Sequence, residues 1–425
     1  MASQRQALAG RLIFEVHPQA IRHFEEAIPF ARFARQKKRQ IKTGVPALDK
    51  ALRSLDIQGI RRLFDRRRTS PTLDRCFLID FDPDISLVKA SRLLKAHKAI
   101  AHCEPDYVRK LLDSPIGLDQ TSMSQVLNQI RWPEAFATDA NIDFPAVAIV
   151  DSGIADPRHP LLPTAYSEQW DTVDVNGQSP PGDFQWWSPD LVNPDDRAVD
   201  EIGHGTHLAG IVAGHHTGSF GGVAPLARVI PIRAMAKVRS LSSGQTEGFG
   251  TASNIATAIQ LARQRGASVI NLSFGFERNS TMEQKAIDLA TANGMVVVAA
   301  IGNGGGETPA LRPAVYKNVI AVGAVDSRFN RWPDSQTGKH LFIMAPGVDI
   351  SSTGLGPSMV AASGTSMACA VVSGVVALMK AKNPNLNTSA IAKILAQTAM
   401  RPAGTAWNKT TGWGVVDAQA AVNLA

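Results

Sequence analysis

The segment TASNIATAIQLARQRGASVINLS, residues 251–273, joins two patterns that together indicate the class of fold. Its first part carries apolar residues at helical spacing and ends at Gly266, where a glycine commonly terminates a helix. The run SVINLS that follows is apolar and β-branched, which is typical of a strand buried in a parallel sheet. A helix followed at once by such a strand predicts an α/β unit.

The same alternation continues through most of the chain from about residue 145. Further apolar runs are AVAIV (146–150), VIPIRA (229–234), MVVVAAI (295–301) and NVIAVGAV (318–325). A helical pattern at 281–294 lies between two of them and again ends at a glycine. We therefore predict a doubly wound, mainly parallel sheet flanked by helices, which binds its ligand outside the carboxyl ends of the strands.

The front of the chain has a different organisation. RCFLIDFDPD, SLVKASRLLKAHKA and IAHCEPDYV, within residues 75–108, predict a strand, a helix and a strand. We expect a small α+β unit at 40–112, preceded by a basic extension at 1–39 and followed by the α/β domain at 113–425.

Charge is distributed unevenly along the chain. Residues 1–75 hold 17 Lys and Arg against 7 Asp and Glu, a balance of +10; the remainder holds 27 against 30, or −3. A basic front can bind nucleic acid, but no aromatic interleaving or known reader motif accompanies it, so we expect no nucleic-acid partner. A solvated basic face, or docking of the front on the more acidic remainder, explains the pattern.

Composition limits the cellular setting. Apolar residues make up 44% of the chain, yet no run reaches the roughly 20 residues that a membrane span requires. The N-terminus lacks the apolar core of a signal peptide, which favours the cytoplasm. The cysteines at 76, 103 and 369 form neither a disulfide framework nor a zinc-binding pattern.

Three short motifs supply the groups that acyl transfer by a serine requires, namely a nucleophile, a base and an orienting carboxylate. AIVDSG places Asp151 at the carboxyl end of a strand, and GHGTHLAG places His204 at a helix start. SGTSMA places Ser366 at another helix start, where backbone N–H groups favour developing negative charge. Each motif alone is compatible with an ordinary cap; together they supply the three residue types that this chemistry needs.

With AAIGNGGG (299–306), these motifs resemble those of the subtilisin family, the subtilases, in type and in chain order. The resemblance implies a serine endopeptidase in which His204 is the base, Asp151 orients it, Ser366 is the nucleophile and Asn303 binds the oxyanion. The order serine, acid, histidine is excluded for Ser366 because no histidine follows it.

Two further segments, SGQTEGFG (243–250) and INLSFG (270–275), resemble the strands between which the family binds substrate. This implies that Gly248, Ser273 and Gly275 bind a protein or peptide as an added strand. The chemistry needs no cofactor and we expect no catalytic metal. Structural Ca²⁺ is compatible with the family, although no loop of regularly spaced oxygen ligands is evident.

Residues 40–112 resemble the family's inhibitory propeptide, which implies a zymogen that cleaves itself and then retains the cleaved tail as an inhibitor. The tail would be cut near Leu112 and Asp113, implying an apolar residue before the scissile bond. The dibasic pair Arg109–Lys110 is a rival processing site. Arg312 stands where the family commonly has aromatic residues near the first specificity pocket, which leaves that pocket's preference open.

Two other functions remain compatible with these residues. The same fold can join peptides when an amine attacks the acyl-enzyme, and a catalytically silent chain could bind partners through its basic front. Cys369 departs from the family motif after Ser366, and we interpret it as a small buried side chain instead of a second nucleophile.

Overall fold

The computed structural model describes residues 6–28, 42–64, 70–112, 121–155, 160–162, 169–175, 177–192, 194–218, 220–307, 309, 311–401 and 406–425. Its N-terminal part contains strands β1 (Ala7–Val16), β2 (Gly59–Arg62), β3 (Cys76–Asp80) and β4 (Ile100–Leu111), helices α1 (Ile21–Ala27), α2 (Pro46–Leu52) and α3 (Leu87–Lys95), and 3₁₀ turns at Pro18–Ala20, Arg53–Leu55 and Leu73–Arg75.

The larger part alternates strands and helices. Its strands are β5 (Ala146–Asp151), β6 (Trp170–Asp171), β7 (Phe184–Trp186), β8 (Arg228–Arg233), β9 (Met235–Ser240), β10 (Thr246–Thr251), β11 (Ala267–Leu272), β12 (Phe274–Gly275), β13 (Val296–Ala300), β14 (Val319–Val325), β15 (Ile343–Pro346), β16 (Ile350–Thr353) and β17 (Met359–Ala362). Its helices are α4 (Met123–Gln129), α5 (Glu134–Ala137), α6 (His204–Ala213), α7 (Ala252–Gln264), α8 (Thr281–Ala292), α9 (Thr365–Lys382), α10 (Thr388–Thr398) and α11 (Ala418–Leu424).

Seven parallel strands form the main sheet in the order β15-β14-β13-β11-β5-β8-β6. Alternate side chains of each strand enter the two cores: in β5, Val147 and Ile149 pack with α6 and α9, while Ala148 and Val150 pack with α7 and α8. This two-sided burial explains why the strands are continuously apolar. The predicted doubly wound, mainly parallel fold is confirmed.

The helices over this sheet begin and end at local signals. The side chain of Thr251 accepts a hydrogen bond from the backbone of Asn254 at the start of α7, and Ser280 caps α8 in the same way. Gly266 and Gly294 follow these helices with φ of +75° and +81°, a conformation that glycine adopts without a Cβ penalty. The predicted glycine stops are confirmed.

The N-terminal unit is an antiparallel sheet of order β2-β3-β1-β4 with helices packed on it. Strand β1 is central, pairing with both β3 and β4, and Phe14 stacks on Phe77 with ring centroids 5.5 Å apart. The expectation that residues 1–39 form a separate extension is therefore corrected, because Ala7–Val16 belongs to the core of this unit. The basic clusters at 35–39 and 66–68 lie outside the described residues.

Helix α9 is the one helix of the described residues long and apolar enough to cross a membrane. Its apolar window is 89% buried inside the protein, among the strands of the parallel sheet and α6. Its composition is that of a core helix.

We expect Phe14→Ala to lower the stability of the N-terminal unit by about 3–5 kcal/mol, because it removes a ring from a closely packed apolar cluster. Thermal unfolding should be measured on a Ser366→Ala background, which keeps both units in one chain. Phe329→Ala, at a side chain that is 48% exposed, is the control and should change stability little. An equal effect of both variants would contradict the central position of β1.

Candidate active site

Asp151 and His204 meet at the carboxyl edge of the parallel sheet. Asp151 is the last residue of β5 and His204 the first of α6, and Nδ1 of the imidazole lies 2.7 Å from Asp151 Oδ1. The same carboxylate oxygen accepts a hydrogen bond from the backbone of Ser152 at 2.8 Å. Both side chains are buried, so the imidazole is held in one orientation by an ionisable partner shielded from water.

At the start of α6, backbone N–H groups that have no partner within the helix bond to an acceptor outside it. Asp200 accepts hydrogen bonds from the backbone N–H groups of Gly203 and Thr206, at 2.8 and 2.9 Å. At Gly205 a Cβ would lie 2.3 Å from the Gly153 carbonyl oxygen, so only glycine allows this approach to the chain after β5. The glycines of the motif thus position His204 against Asp151.

Ser366 lies in the first turn of α9, beside Asn303 in the loop after β13. Asn303 Oδ1 accepts hydrogen bonds from Thr365 N at 3.0 Å and Thr365 Oγ1 at 2.8 Å. Because its carbonyl end is engaged in this way, the amide presents Nδ2 to the space in front of Ser366. Thr365 therefore positions the amide, a role that the sequence analysis did not assign. Its place between Gly364 and Ser366 in the motif SGTSMA was the signal that could have indicated it.

The N-terminal unit enters this edge through β4. Strand β4 pairs antiparallel with β10 on one side and with β12 on the other, with Lys110 opposite Phe249 and Gly275. A Cβ at Gly248 would lie 2.2 Å from Leu111 Cδ1, so this glycine makes room for the leucine. The structure thus brings the candidate substrate-binding residues Gly248, Ser273 and Gly275 to a strand of the chain itself.

Leu112 lies directly in front of Ser366. Its carbonyl oxygen accepts hydrogen bonds from Ser366 Oγ at 3.1 Å and Asn303 Nδ2 at 2.9 Å, and its N–H donates to Ser273 O at 3.4 Å. The carbonyl of Leu112 therefore lies next to the candidate nucleophile. The carbonyl of Lys110, at the rival dibasic processing site, does not occupy this position. Asp113 lies outside the described residues.

Two carboxylates of β4 also contact the larger domain, and sequence reasoning did not assign them. Glu104 accepts hydrogen bonds from Ser280 Oγ and Thr281 N at the start of α8, at 2.6 and 2.9 Å. Asp106 accepts from Ser253 N and Oγ at the start of α7, at 2.9 and 2.7 Å. Each carboxylate thus binds the positive end of a helix dipole. The sequence contained only the residue types, because the two helix starts follow 147 and 177 residues later.

The predicted docking of a basic front on an acidic remainder applies only in part to the described residues. Arg61 pairs with the buried Asp174 at 2.9 Å, in the predicted sense. Lys285 of α8, however, pairs with Glu15 of the N-terminal unit, in the opposite sense. The two units are therefore joined by local ion pairs, in some of which the N-terminal unit supplies the cation and in others the anion.

Cys369 is fully buried three residues after Ser366, and burial raises the pKa of its thiol to about 12. The thiolate is the nucleophilic form of cysteine, so this side chain is inert at neutral pH. The interpretation of Cys369 as a small buried side chain is confirmed.

One group of three carboxylates in the described residues has its oxygens within 4.8 Å of one another: Asp171, Asp190 and Asp195. Arg233 already donates hydrogen bonds to the Asp171 carboxylate and to the Asp190 backbone. Burial raises the pKa of Asp171 to about 7. Since a guanidinium already supplies the positive charge here, this cluster does not fit a calcium site.

Comparisons with known proteins identify the family of this chain. The sequence profile of the Subtilase family matches residues 144–414. Subtilisin DY of Bacillus licheniformis is 38% identical over 257 residues, covering 60% of this chain and 82% of that protein. Thermophilic serine proteinase of Bacillus sp. strain AK1 is 38% identical over 261 residues, covering 61% of this chain and 57% of that protein.

A solved structure resembles nearly the whole chain. Fervidolysin from Fervidobacterium pennivorans, described as a keratinolytic enzyme related to subtilisin, superposes with a TM-score of 0.74 and 23% identity. The superposition covers 98% of this chain and 61% of that chain. At this identity the likeness establishes the fold, and it extends over the N-terminal unit.

An α/β sheet that carries a buried acid–imidazole pair and a serine at a helix start has the residue types of a serine hydrolase. The chain belongs to the subtilase family, since the family profile spans well over half of its length. It is a subtilisin-like serine endopeptidase.

His207, one turn after His204, predicts a pH dependence of stability. It is buried, its Nε2 lies 3.1 Å from both Ile350 O and Val360 O, and burial lowers its pKa to about 4. The unfolded chain therefore binds the proton more tightly, and stability falls as pH drops from about 6.5 to about 4, by roughly 3 kcal/mol.

Urea unfolding of wild type and His207→Gln, both on the Ser366→Ala background, should test this between pH 7 and 4. The glutamine cannot take up this proton, so its stability should fall less steeply across that range. Parallel curves for the two chains would contradict the assignment.

Proposed function

We propose that the protein is made as a zymogen that cleaves its own chain after Leu112 by an Asp151–His204–Ser366 triad, and that it then hydrolyses other peptide bonds at the same site. One observation carries the proposal: the Leu112 carbonyl oxygen lies between Ser366 Oγ and Asn303 Nδ2, at 3.1 and 2.9 Å. An oxyanion donor has to lie at this distance from the oxygen of the scissile carbonyl, and the nucleophile has to lie beside the same carbonyl group.

In the first step His204 takes the proton of Ser366 Oγ as that oxygen attacks the Leu112 carbonyl carbon. Asp151 holds Nδ1–H and stabilises the imidazolium. The negative charge that develops on the carbonyl oxygen is bound by Asn303 Nδ2 and by the Ser366 backbone N–H. Collapse breaks the bond to residue 113, and the proton passes from His204 to the leaving amine.

In the second step water attacks the ester that joins Leu112 to Ser366 Oγ and gives a proton to His204. The ester bond then breaks as His204 returns that proton to Ser366 Oγ, which releases the Leu112 carboxylate and restores the serine. Apart from this water, every group that acts in these two steps is a side chain or a backbone N–H of the protein, so the chemistry calls for no cofactor. Other proteins and peptides would bind as β4 does, as a strand between β10 and β12.

The N-terminal unit would aid folding before this cleavage. It would act as an inhibitor both before and after it. Strand β4 fills the substrate position, and its Glu104 and Asp106 bind the starts of α8 and α7. These contacts do not involve the bond that is cut, so cleavage leaves them in place. Release of the unit, or its degradation, would then be required for activity on other substrates.

We expect Ser366→Ala to abolish both autoprocessing and hydrolysis, because the variant lacks the hydroxyl that attacks the Leu112 carbonyl carbon in the proposed mechanism. Intact mass and N-terminal sequencing should show an active wild type that begins at Asp113 and an uncut variant. A fluorophosphonate probe should label only the wild type. Labelling without hydrolysis of casein or peptides would favour the ligase, and absence of labelling after removal of the N-terminal unit would favour a silent scaffold.

We expect Asn303→Ala to lower kcat by about 100- to 1000-fold, the factor found for loss of the equivalent donor in subtilisin itself. KM should change little, because the amide stabilises the charge that forms in the transition state. Asn423→Ala, at an exposed position of α11, is the matched control and should retain wild-type kcat. A drop in kcat of less than about threefold for Asn303→Ala would refute its role.

A further inference from the structure

Arg109 forms a buried ion pair that the cleavage mechanism does not use. Counting back from the bond after Leu112, it is the fourth residue before that bond, and it is fully buried. Its Nε and Nη2 donate to Oε1 and Oε2 of Glu283, both at 2.7 Å. The two parallel hydrogen bonds match the fork of a guanidinium to the fork of a carboxylate, which is the strongest and most directional form of this contact.

The larger domain holds Glu283 in place without help from β4. Glu283 lies in the first turn of α8, and Tyr316 Oη donates a hydrogen bond to its Oε2 at 3.1 Å. Tyr316 is in turn anchored to Ser280, whose backbone N–H donates to its hydroxyl at 2.8 Å. The carboxylate is therefore aimed into the cleft by residues that remain after the N-terminal unit leaves.

The neighbouring contacts of the same strand differ in kind. Lys110 pairs with Glu247 at 2.7 Å, but these side chains are 46% and 25% exposed, and such pairs contribute little to binding. Leu111 is buried against Gly248 and Ile202, and Leu112 is half-buried. Among the last four residues before the cut, Arg109 alone buries a charge against an opposite charge.

We infer that Glu283 and Tyr316 form a subsite that selects arginine at the fourth residue before the scissile bond, so that preferred substrates carry arginine there and leucine at the two residues before the cut. This inference rests on the proposed function and specifies its substrate class. The chain's own segment Arg109–Leu112 is then the first substrate that meets this requirement.

The physical basis is the difference between a paired and an unpaired buried charge. An apolar substrate residue at this position would cover Glu283 without supplying a cation, and a carboxylate buried in this way is strongly disfavoured. Consistently, burial raises the pKa of Glu283, and the Arg109 guanidinium opposes that shift. Sites built to pair a polar group reject analogues that lack it more strongly than apolar pockets reject a change of size.

Lysine would satisfy the subsite less well than arginine. An ammonium is a compact point charge that cannot offer two parallel hydrogen bonds to Oε1 and Oε2. It is also more strongly hydrated than a guanidinium, so more is lost when it enters the cleft. The expected order at this position is arginine, then lysine, then leucine.

The alternative is that the pair only docks the N-terminal unit and does not discriminate among substrates. A ratio of kcat/KM values separates the two, because it is independent of how much enzyme folds or is processed. The substrates are acetyl-Arg-Ala-Leu-Leu-p-nitroanilide and its analogues with lysine or leucine in place of arginine. The enzyme is the full chain, expressed and allowed to process itself, with the N-terminal unit then removed.

For the wild type, kcat/KM for the arginine peptide should exceed that for the leucine peptide by about 10- to 100-fold. Glu283→Leu should abolish or reverse this ratio. Glu247→Leu is the matched control, a glutamate of the same cleft that faces Lys110, and it should leave the ratio unchanged. An unchanged ratio in Glu283→Leu would overturn the inference.

Glu283→Leu by itself leaves Arg109 buried without its partner, and this variant can fail to fold. The double variant Arg109→Leu/Glu283→Leu removes both charges together and avoids that penalty. After cleavage at Leu112 and removal of the N-terminal unit, it yields the same mature enzyme as the single variant. It therefore provides the required test even if the single variant cannot be prepared.

The outcomes distinguish the subsite from the proposed function. If the wild type cleaves all three peptides equally well, the subsite is refuted and the endopeptidase is retained. If the wild type cleaves none of them and is not labelled by a fluorophosphonate, the proposed function is refuted and the subsite with it.

Discussion

The constraint on which this structure depends is that the seven strands of the main sheet run parallel, so that the carboxyl ends of all of them lie at the same edge. Asp151 ends one strand, and the loop with Asn303 follows another. Helix α9, buried against the centre of the sheet, brings Ser366 to that edge from within the core. Residues more than 200 positions apart thus meet at the candidate site, because the carboxyl ends of parallel strands lie side by side.

The N-terminal unit places strand β4 between β10 and β12, beside this edge. Its contacts there are of two kinds, backbone pairing and pairs of opposite charge. Backbone pairing with β10 and β12 places β4 in the cleft whatever its side chains are. Charged pairs then select the register: Glu104 and Asp106 meet the starts of two helices, and Arg109 meets Glu283. A slip of one residue would turn each of these charges to the opposite face of the strand. This register is what brings the Leu112 carbonyl to Ser366.

Much of the fold followed from local pattern. Continuous apolar runs, helices stopped by Gly266 and Gly294, and the parallel sheet were all predicted and are confirmed. Strand β1 was missed because Arg11 interrupts its apolar pattern and suggests a solvated segment. The structure buries Arg11 against Asp80 and the backbone of Asp174, residues 69 and 163 positions away. A buried charge is recognisable only when its partner is known.

The sequence by itself determined the residue types and the chain order of the candidate triad, because short motifs at strand and helix ends encode them locally. Only the tertiary structure decided which carbonyl of the chain faces Ser366 and that Arg109 is a buried contact of Glu283, 174 positions away. The sequence showed Arg109 and Lys110 as two equivalent basic residues. Folding separates them because adjacent residues of a strand face opposite ways: the side chain of Arg109 enters the protein, whereas that of Lys110 is 46% exposed.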